Sequence, residues 1–189
     1  MSNFYYGVFM NQLRPGYNFL ATHELFFDEI PHQRAIHLAN YEFFWNILDE
    51  LGPFGTEESY LAFCELCDWL IDNPNTPIIE CFRWILSSWD IELEDFDDKV
   101  IENENILKII YDLDFYEDLM MLDFTIISTG FGQLILQGKI DADVKNIIQL
   151  SLLRQMNSHV LDEYLGSNMQ YKYERYLYLQ KLLDILEEA

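Results

Sequence analysis

Cysteine and histidine are the residues of this sequence whose types and spacing could do chemistry. Cys64 and Cys67 have the CxxC spacing of redox proteins, in which the pair lies at a helix N-terminus that lowers a thiol pKa. Here the pair lies about two turns inside a predicted helix. A zinc site would need two more ligands at suitable spacing, which Cys81 and a distant histidine supply only weakly. We interpret the three cysteines as reduced packing residues.

The histidines do not match a metal motif. The four of them are His23, His32, His37 and His159. Zincin-type sites need two histidines at i and i+4 around a glutamate, whereas His32 and His37 are five residues apart. Di-iron bundles need two Glu-x-x-His pairs, and the single copy at Glu29 is interrupted by Pro31. We predict no metal and no cofactor. A metal protein or enzyme using these histidines or the cysteines is the third hypothesis.

Motifs for nucleotide and hydrolase chemistry are absent from the sequence. It has no Walker loop, no GxSxG elbow and no DxDxDG calcium loop, and Gly130-Phe131-Gly132 is only a fragment of a dinucleotide fingerprint. Paired carboxylates are so abundant that no pair stands out as an acid and base. We predict that the protein is not an enzyme and has no catalytic residues.

The charge is strongly acidic and unevenly distributed. The 189 residues include 33 Asp and Glu against 11 Lys and Arg, a net charge of −22. Residues 1 to 136 hold 25 acidic and 5 basic side chains, whereas residues 137 to 189 hold 8 and 6 and are nearly neutral. Nucleic acids and anionic membranes are held through Lys and Arg, so neither is predicted as a direct ligand.

The segment from Asp90 to Asp123 is the most acidic, with 13 carboxylates and only Lys99 and Lys108 as bases. Like charges three or four residues apart repel on a helix, so this density costs stability and indicates a surface shaped for a basic groove. The predicted partner-binding residues are Asp90, Glu92, Glu94, Asp95, Asp97, Asp98, Glu102, Glu104, Asp112, Asp114, Glu117 and Asp118. Five aromatic residues among them are candidate anchors, although most are expected to lie in the core: Trp89, Phe96, Tyr111, Phe115 and Tyr116. A solvated acidic face is the plain alternative.

Apolar residues recur mainly at helical spacing, and Gly, Pro and capping residues separate the runs. Thr56 is expected to cap the second helix, Thr76 the third, and Asp114 the segment that follows residue 112. Gly166 is expected to end the helix before the last one, and Ser167 or Asn168 to cap the last helix. Thr129 to Gly132 is predicted to be a turn, followed by a short helix or strand over Gln133 to Gln137. The predicted helices are Pro31 to Leu51, Glu57 to Asn73, Pro77 to Trp89, Val100 to Asp112, Phe115 to Ser128, Asp141 to Leu165 and Ser167 to Glu188.

These patterns predict an all-α fold of about seven or eight helices in a single domain over residues 1 to 189, with a HEAT-like stack of helical pairs as the alternative. Alternation from Phe4 to Met10 and a turn at Arg14 to Tyr17 predict a small N-terminal β-hairpin. In the C-terminal helix, Tyr171, Tyr173, Tyr176 and Tyr178 are interpreted as half-buried against leucines, with packing on a partner helix as the alternative.

The compartment is predicted to be the cytoplasm. No signal-peptide pattern is present, and an odd number of cysteines suits reduced thiols. The most apolar stretch, Leu119 to Ile127, is broken by Asp123 and is shorter than the roughly 20 residues of a membrane span.

These observations predict a non-enzymatic acidic inhibitor that occupies the basic groove of a nuclease or another nucleic-acid-binding protein. Toxin-immunity proteins and anti-restriction or anti-CRISPR nucleic-acid mimics work in this way. Binding is expected to weaken with salt and with charge reversal at Asp95, Asp97 and Asp98. The alternative is a helical scaffold or adaptor subunit that binds a protein partner through an aromatic and apolar surface.

Overall fold

Short polar side chains divide the first predicted helix. The computed structural model describes residues 31–91 and 103–189, all within one compact unit, Pro31–Ala189. Instead of one helix over Pro31 to Leu51, it has α1 (Gln33–Leu38) and α2 (Glu42–Trp45), followed by turns. The indole nitrogen of Trp45 donates to the carbonyl of Ala39 at 2.7 Å. The side chains of Asn46 and Asp49 accept from backbone N–H groups two residues later and thus replace helical hydrogen bonds.

The next two helices begin and end within a residue or two of the predicted positions. Helix α3 (Glu57–Asp72) begins where predicted, because the Thr56 side chain accepts from the N–H of Ser59, and it ends before Asn73. Helix α4 (Ile78–Ser87) begins after Pro77, which is itself the N-cap, so the predicted cap at Thr76 is wrong by one residue.

The apolar spacing predicts an inner face of α3 made of Tyr60, Phe63, Cys64, Cys67, Leu70 and Ile71, which is largely wrong. Phe63 is buried, but Ile71 is 73% exposed and the other four are half-buried. The buried face is rotated towards Ser59, Ala62, Leu66 and Trp69, which pack against the rest of the core.

The predicted turn at residues 129 to 132 is wrong. After α5 (Asn103–Ile110), helix α6 runs without interruption over Leu113–Gln137, and its N-cap is Asp112 rather than Asp114. A β-carbon on Gly132 would lie 2.7 Å from Leu66 Cδ2 and 2.8 Å from Phe63 Cδ2. Position 132 of this helix is a glycine because α3 packs directly against the backbone there. The packing of α3 against α6 keeps the helix intact despite the low helix propensity of glycine.

We expect Gly132→Val to lower the free energy of unfolding by about 1 to 3 kcal/mol, because the added methyl groups overpack against Phe63 and Leu66. Gly132→Ala should lose less, since the gain in helix propensity of about 1 kcal/mol offsets part of the strain. Urea unfolding measures both. In a Leu66→Ala background, Gly132→Val should lower the free energy of unfolding by less than it does in the wild-type protein. If the losses of the two substitutions were simply additive, the contact between Gly132 and Leu66 would be contradicted.

The last predicted helices are confirmed with one interruption. The helix predicted over residues 141 to 165 is divided into α7 (Ala142–Gln155) and α8 (Ser158–Leu165), because the Asn157 side chain accepts from the N–H of His159 and starts a new helix. Gly166 ends α8 as predicted, with a φ of +59°. Asn168 caps α9 (Met169–Glu188).

Helix α6 lies at the centre of the described fold. It packs against α1, α3, α4, α5 and α7, so these helices surround a central one rather than following each other in HEAT-like pairs. The all-α prediction is confirmed, with nine helices among residues 31–91 and 103–189. The predicted β-hairpin lies outside the described residues, and the prediction of a single domain over the whole chain stays a prediction.

The apolar character of α6 extends further than the sequence argument proposed. Within the described ranges, one stretch, Phe115–Gln137, is long and apolar enough to cross a membrane by length and composition alone. Of its apolar window, 89% is buried inside the protein, which is typical of the core helix of a soluble protein. Asp123 does not interrupt the helix, because Arg154 on α7 pairs with it in the core.

Candidate partner-binding surface

The structure describes one third of the predicted acidic surface at the level of side chains. Asp90, Asp112, Glu117 and Asp118 are all exposed. Glu104 lies in α5 and Asp114 in α6, where only the backbone is described. The remaining six predicted residues lie outside the described residues: Glu92, Glu94, Asp95, Asp97, Asp98 and Glu102. Both chain segments that flank residues 92–102 therefore present carboxylates to solvent.

The beginning of α6 combines carboxylates with exposed aromatic rings. Asp112 accepts a hydrogen bond from the N–H of Phe115, and Glu117 and Asp118 follow in the first turns, where the positive end of the helix favours negative charge. Tyr111 is 85% exposed, and Phe115 is also exposed. Both rings are therefore exposed to solvent beside these carboxylates, as anchors within an acidic rim would be.

The other aromatic candidates are placed differently. Tyr116 is buried, as expected for most of these rings, and fills the core side of the first turn of α6, so it is not a surface anchor. Trp89 is half-buried after α4, and Phe96 lies outside the described residues.

Sequence reasoning missed a second acidic surface, which lies on α3. Successive residues turn by about 100° around a helix, so five carboxylates of α3 fall within one arc of about 100°. They extend over about 22 Å of the helix. We call them the α3 carboxylate stripe: Glu57, Glu58, Glu65, Asp68 and Asp72. All are exposed except the half-buried Glu58, and the exposed Leu61 lies among them. The spacing of the carboxylates themselves, read at 100° per residue, is the signal in the sequence that predicts this outer face.

No cation neutralises the α3 carboxylate stripe within the described parts of the chain. Helix α3 contains no Lys or Arg, and none of the five carboxylates forms an ion pair or hydrogen bond with a described residue. The surface cations pair elsewhere: Arg83 with Glu80 at 2.9 Å, Lys139 with Asp141 at 2.6 Å, Lys181 with Asp184 at 3.1 Å, and Lys172 with Asp162.

Two of the nine cations in residues 31–91 and 103–189 are buried and do not contribute to the surface. Arg154 pairs with Asp123 in the core. Arg175 donates through Nη1 to the carbonyl of Leu51 at 2.7 Å and also approaches that of Gly52. Burial lowers the pKa of the Arg175 guanidinium, although Tyr164 and Asp123 oppose this shift. Because Asp123 is buried together with Arg154, only the burial of Arg175 makes the described surface more acidic than the counts of charged residues suggest.

The cysteines have the properties of packing residues. Cys81 is buried, and Cys64 and Cys67 are half-buried on α3. Burial raises the pKa of Cys81 to about 12, and it also raises the pKa of Cys64, although a hydrogen bond from Tyr60 opposes that shift. Thiols with raised pKa values are poor nucleophiles near neutral pH.

We expect iodoacetamide at about pH 9 to modify unfolded Cys81 and to leave it unmodified in the folded protein, because the usual thiol pKa of 9.0 rises to about 12 on folding. Mass spectrometry of the peptides measures this. A raised folded pKa stabilises the fold fully below pH 9.0 and progressively less up to about 12. The free energy of unfolding should therefore fall over this range, with a shallower slope in Cys81→Ala. Rapid native labelling would contradict the burial.

Within residues 31–91 and 103–189, the histidines and the other possible metal ligands do not form a cluster. His32 caps α1 by accepting from the N–H of Arg34 at 3.2 Å, His37 is exposed and His159 is half-buried. His23 lies outside the described residues. Among the residues that the structure describes, no group of three or more His, Cys, Asp or Glu side chains is placed to hold a metal ion.

Comparisons of this chain with protein-family models, with curated proteins and with solved structures give no match.

Proposed function

We propose that this protein is a non-enzymatic inhibitor whose acidic surface occupies the basic groove of a nuclease or another nucleic-acid-binding protein. The observation that carries the proposal is the α3 carboxylate stripe, five acidic side chains on one arc with no described cation paired to them. The predicted acidic surface from Asp90 to Asp118 contributes to the same proposal through its exposed described carboxylates.

The spacing of the stripe supports a nucleic-acid mimic. Side chains three or four residues apart on a helix lie about 5 to 6 Å apart, so Glu65, Asp68 and Asp72 present a row of anionic groups. Proteins that bind nucleic acids present Arg and Lys to a row of phosphates. Arginine binds carboxylates and phosphates alike through two parallel hydrogen bonds, so a carboxylate row can take the place of phosphates.

The energetic cost of the stripe also supports a binding role. Unpaired like charges on a helix repel by a few tenths of a kcal/mol per neighbouring pair, and interspersed lysines would remove this cost and keep the protein soluble. A cationic partner offsets the repulsion when it binds, and the opposite charges accelerate encounter.

The biological settings that fit are toxin immunity, where an antitoxin neutralises a nuclease, and the blocking of restriction or CRISPR effectors by a nucleic-acid mimic. The protein would act in the cytoplasm, where thiols are kept reduced. Neither a nucleic acid nor a membrane is proposed as a direct partner, because both are anionic.

The test is capture of partners by the tagged protein from its own cell lysate and from that of a host, at about 0.1 M and about 0.5 M salt, with identification by mass spectrometry. We expect one basic nuclease or nucleic-acid-binding protein that is released at high salt and displaced by added DNA or RNA. Inhibition of that partner's nucleic-acid binding or cleavage then establishes the activity.

Two other outcomes would contradict the proposal. A partner without a basic groove that stays bound at high salt favours the scaffold or adaptor alternative, because apolar interfaces do not weaken with salt. Capture that nucleic acid does not displace contradicts occupation of the groove, even when the partner is basic.

A further inference from the structure

The first three turns of α9 carry no exposed charge. From Gly166 to Gln180, every exposed residue is uncharged. The charged residues in this stretch are turned away or paired: Lys172 is half-buried and donates to Asp162, Glu174 is half-buried and accepts from Tyr178, and Arg175 is buried. In a chain with a net charge of −22, such a face is unusual.

Large apolar side chains form the centre of this face. Met169 is 72% exposed, Tyr173 is 67% exposed and Leu177 is 39% exposed, and Tyr176 lies beside them. Protein interfaces are depleted of charged residues at their centre and enriched in Tyr and Met. The interpretation of these tyrosines as half-buried is correct for Tyr178, which stacks on Phe43, but it is wrong for Tyr171, Tyr173 and Tyr176, which are exposed.

We propose that this face of α9 binds the same face of a second copy of the chain. Met169, Tyr173 and Leu177 are four residues apart and form one ridge along the helix. Ridges of this spacing from two helices interdigitate at a crossing angle of about −50°, the commonest helix packing. A two-fold axis at Tyr173 places Met169 of one copy against Leu177 of the other, so the ridge is complementary to itself.

Charge favours a second copy as the occupant. Two copies that meet at the α3 carboxylate stripe or at the beginning of α6 place carboxylates against carboxylates. The face of α9 lets them approach without exposed like charges in the contact. An aromatic side chain has about 150 to 250 Å² of surface, so the exposed parts of this face amount to several hundred Å². A standard interface buries about 800 Å² per partner, so we expect a weak, concentration-dependent dimer.

The test is sedimentation of the full chain between about 10 μM and about 1 mM, a range over which a weak dimer forms. We expect the mass to approach twice that of one chain. Tyr173→Glu should raise the dissociation constant at least about tenfold, because it places a charge at the two-fold axis. Asn146→Glu, an exposed change on α7, adds the same charge away from the face and should leave the dissociation constant unchanged.

Salt separates this proposal from the proposed function. Added salt screens the repulsion between two acidic copies and should strengthen the dimer, whereas it should weaken binding to a basic partner. A chain that stays monomeric up to about 1 mM at about 0.5 M salt would overturn the proposal, as would unchanged dimerisation of Tyr173→Glu. Circular dichroism confirms that the variants are folded. Neither result bears on the α3 carboxylate stripe.

Discussion

Arg154→Met is expected to lower the free energy of unfolding by about 3 to 5 kcal/mol, the usual cost of leaving a buried charge without its partner. Arg154 Nε lies 3.0 Å from Asp123 Oδ1, and its Nη2 contacts the same oxygen and Ser151 Oγ. Asp123 is completely buried on α6, and Gln155 donates to its second oxygen at 3.1 Å. Methionine keeps the packing of the side-chain stem and removes the charge, so Asp123 remains buried with one donor.

Denaturant unfolding of two further variants identifies the cause of the loss. Asp123→Leu combined with Arg154→Met removes both charges and should recover most of the stability, because apolar replacement of a whole buried pair is often neutral. Arg83→Met removes an exposed arginine that pairs with Glu80, and it should change the free energy of unfolding by less than about 1 kcal/mol. If the double variant were no more stable than Arg154→Met, the loss would come from packing and not from the unpaired carboxylate.

Neutralisation of the α3 carboxylate stripe is expected to weaken binding of a captured basic partner by about 30- to 1000-fold. The variant replaces four exposed acids: Glu57→Gln, Glu65→Gln, Asp68→Asn and Asp72→Asn. Each lost charge pair at the edge of an interface costs about 0.5 to 1 kcal/mol, and each 1.4 kcal/mol is a factor of ten in affinity. Titration calorimetry at several salt concentrations measures the change, and the salt dependence should become shallower.

The matched control removes the same number of exposed acids from the nearly neutral part of the chain. It carries Asp143→Asn, Glu163→Gln, Glu187→Gln and Glu188→Gln. Its affinity should change by less than about threefold, since only the long-range field is altered. Charge reversal at Asp95, Asp97 and Asp98 tests the acidic surface predicted from the sequence separately. Equal losses in the stripe variant and the control would show that net charge, and not a defined surface, determines binding.

The sequence predicts a helix boundary correctly where a capping side chain or a glycine at that boundary determines it. Thr56 and Asn168 cap their helices through their own side chains, and Gly166 ends α8 where its sequence position predicts. The errors have two sources. Asn46 and Asn157 act by the same local chemistry, but they lie within apolar patterns that mask the interruption. The predicted turn at Gly132 is wrong because this glycine packs against α3, which is distant in the chain. The sequence around Gly132 carries no sign of that contact.

The candidate surface was predictable in part. The acidic character of the chain and the exposure of Asp112, Glu117 and Asp118 follow from charge and spacing. The α3 carboxylate stripe was equally readable, because the outer face of a helix has the same period as the inner one. The burial of Arg154 and Arg175 could not be predicted from the sequence. A count of charges assumes that every arginine lies at the surface, and the acceptors of these two lie on other segments of the chain.

The hydrogen bond from Arg175 to the carbonyl of Leu51 joins residues 124 positions apart in the chain, and this separation has a consequence during synthesis on the ribosome. The carbonyls of Leu51 and Gly52 emerge early, but their donor belongs to the last helix. Chains whose translation stops before α9 lack this donor and also the buried apolar side chains of α9, including Leu179, Leu182 and Ile185. We therefore expect such products to have an incomplete core and to be degraded faster by cellular proteases than chains that include α9.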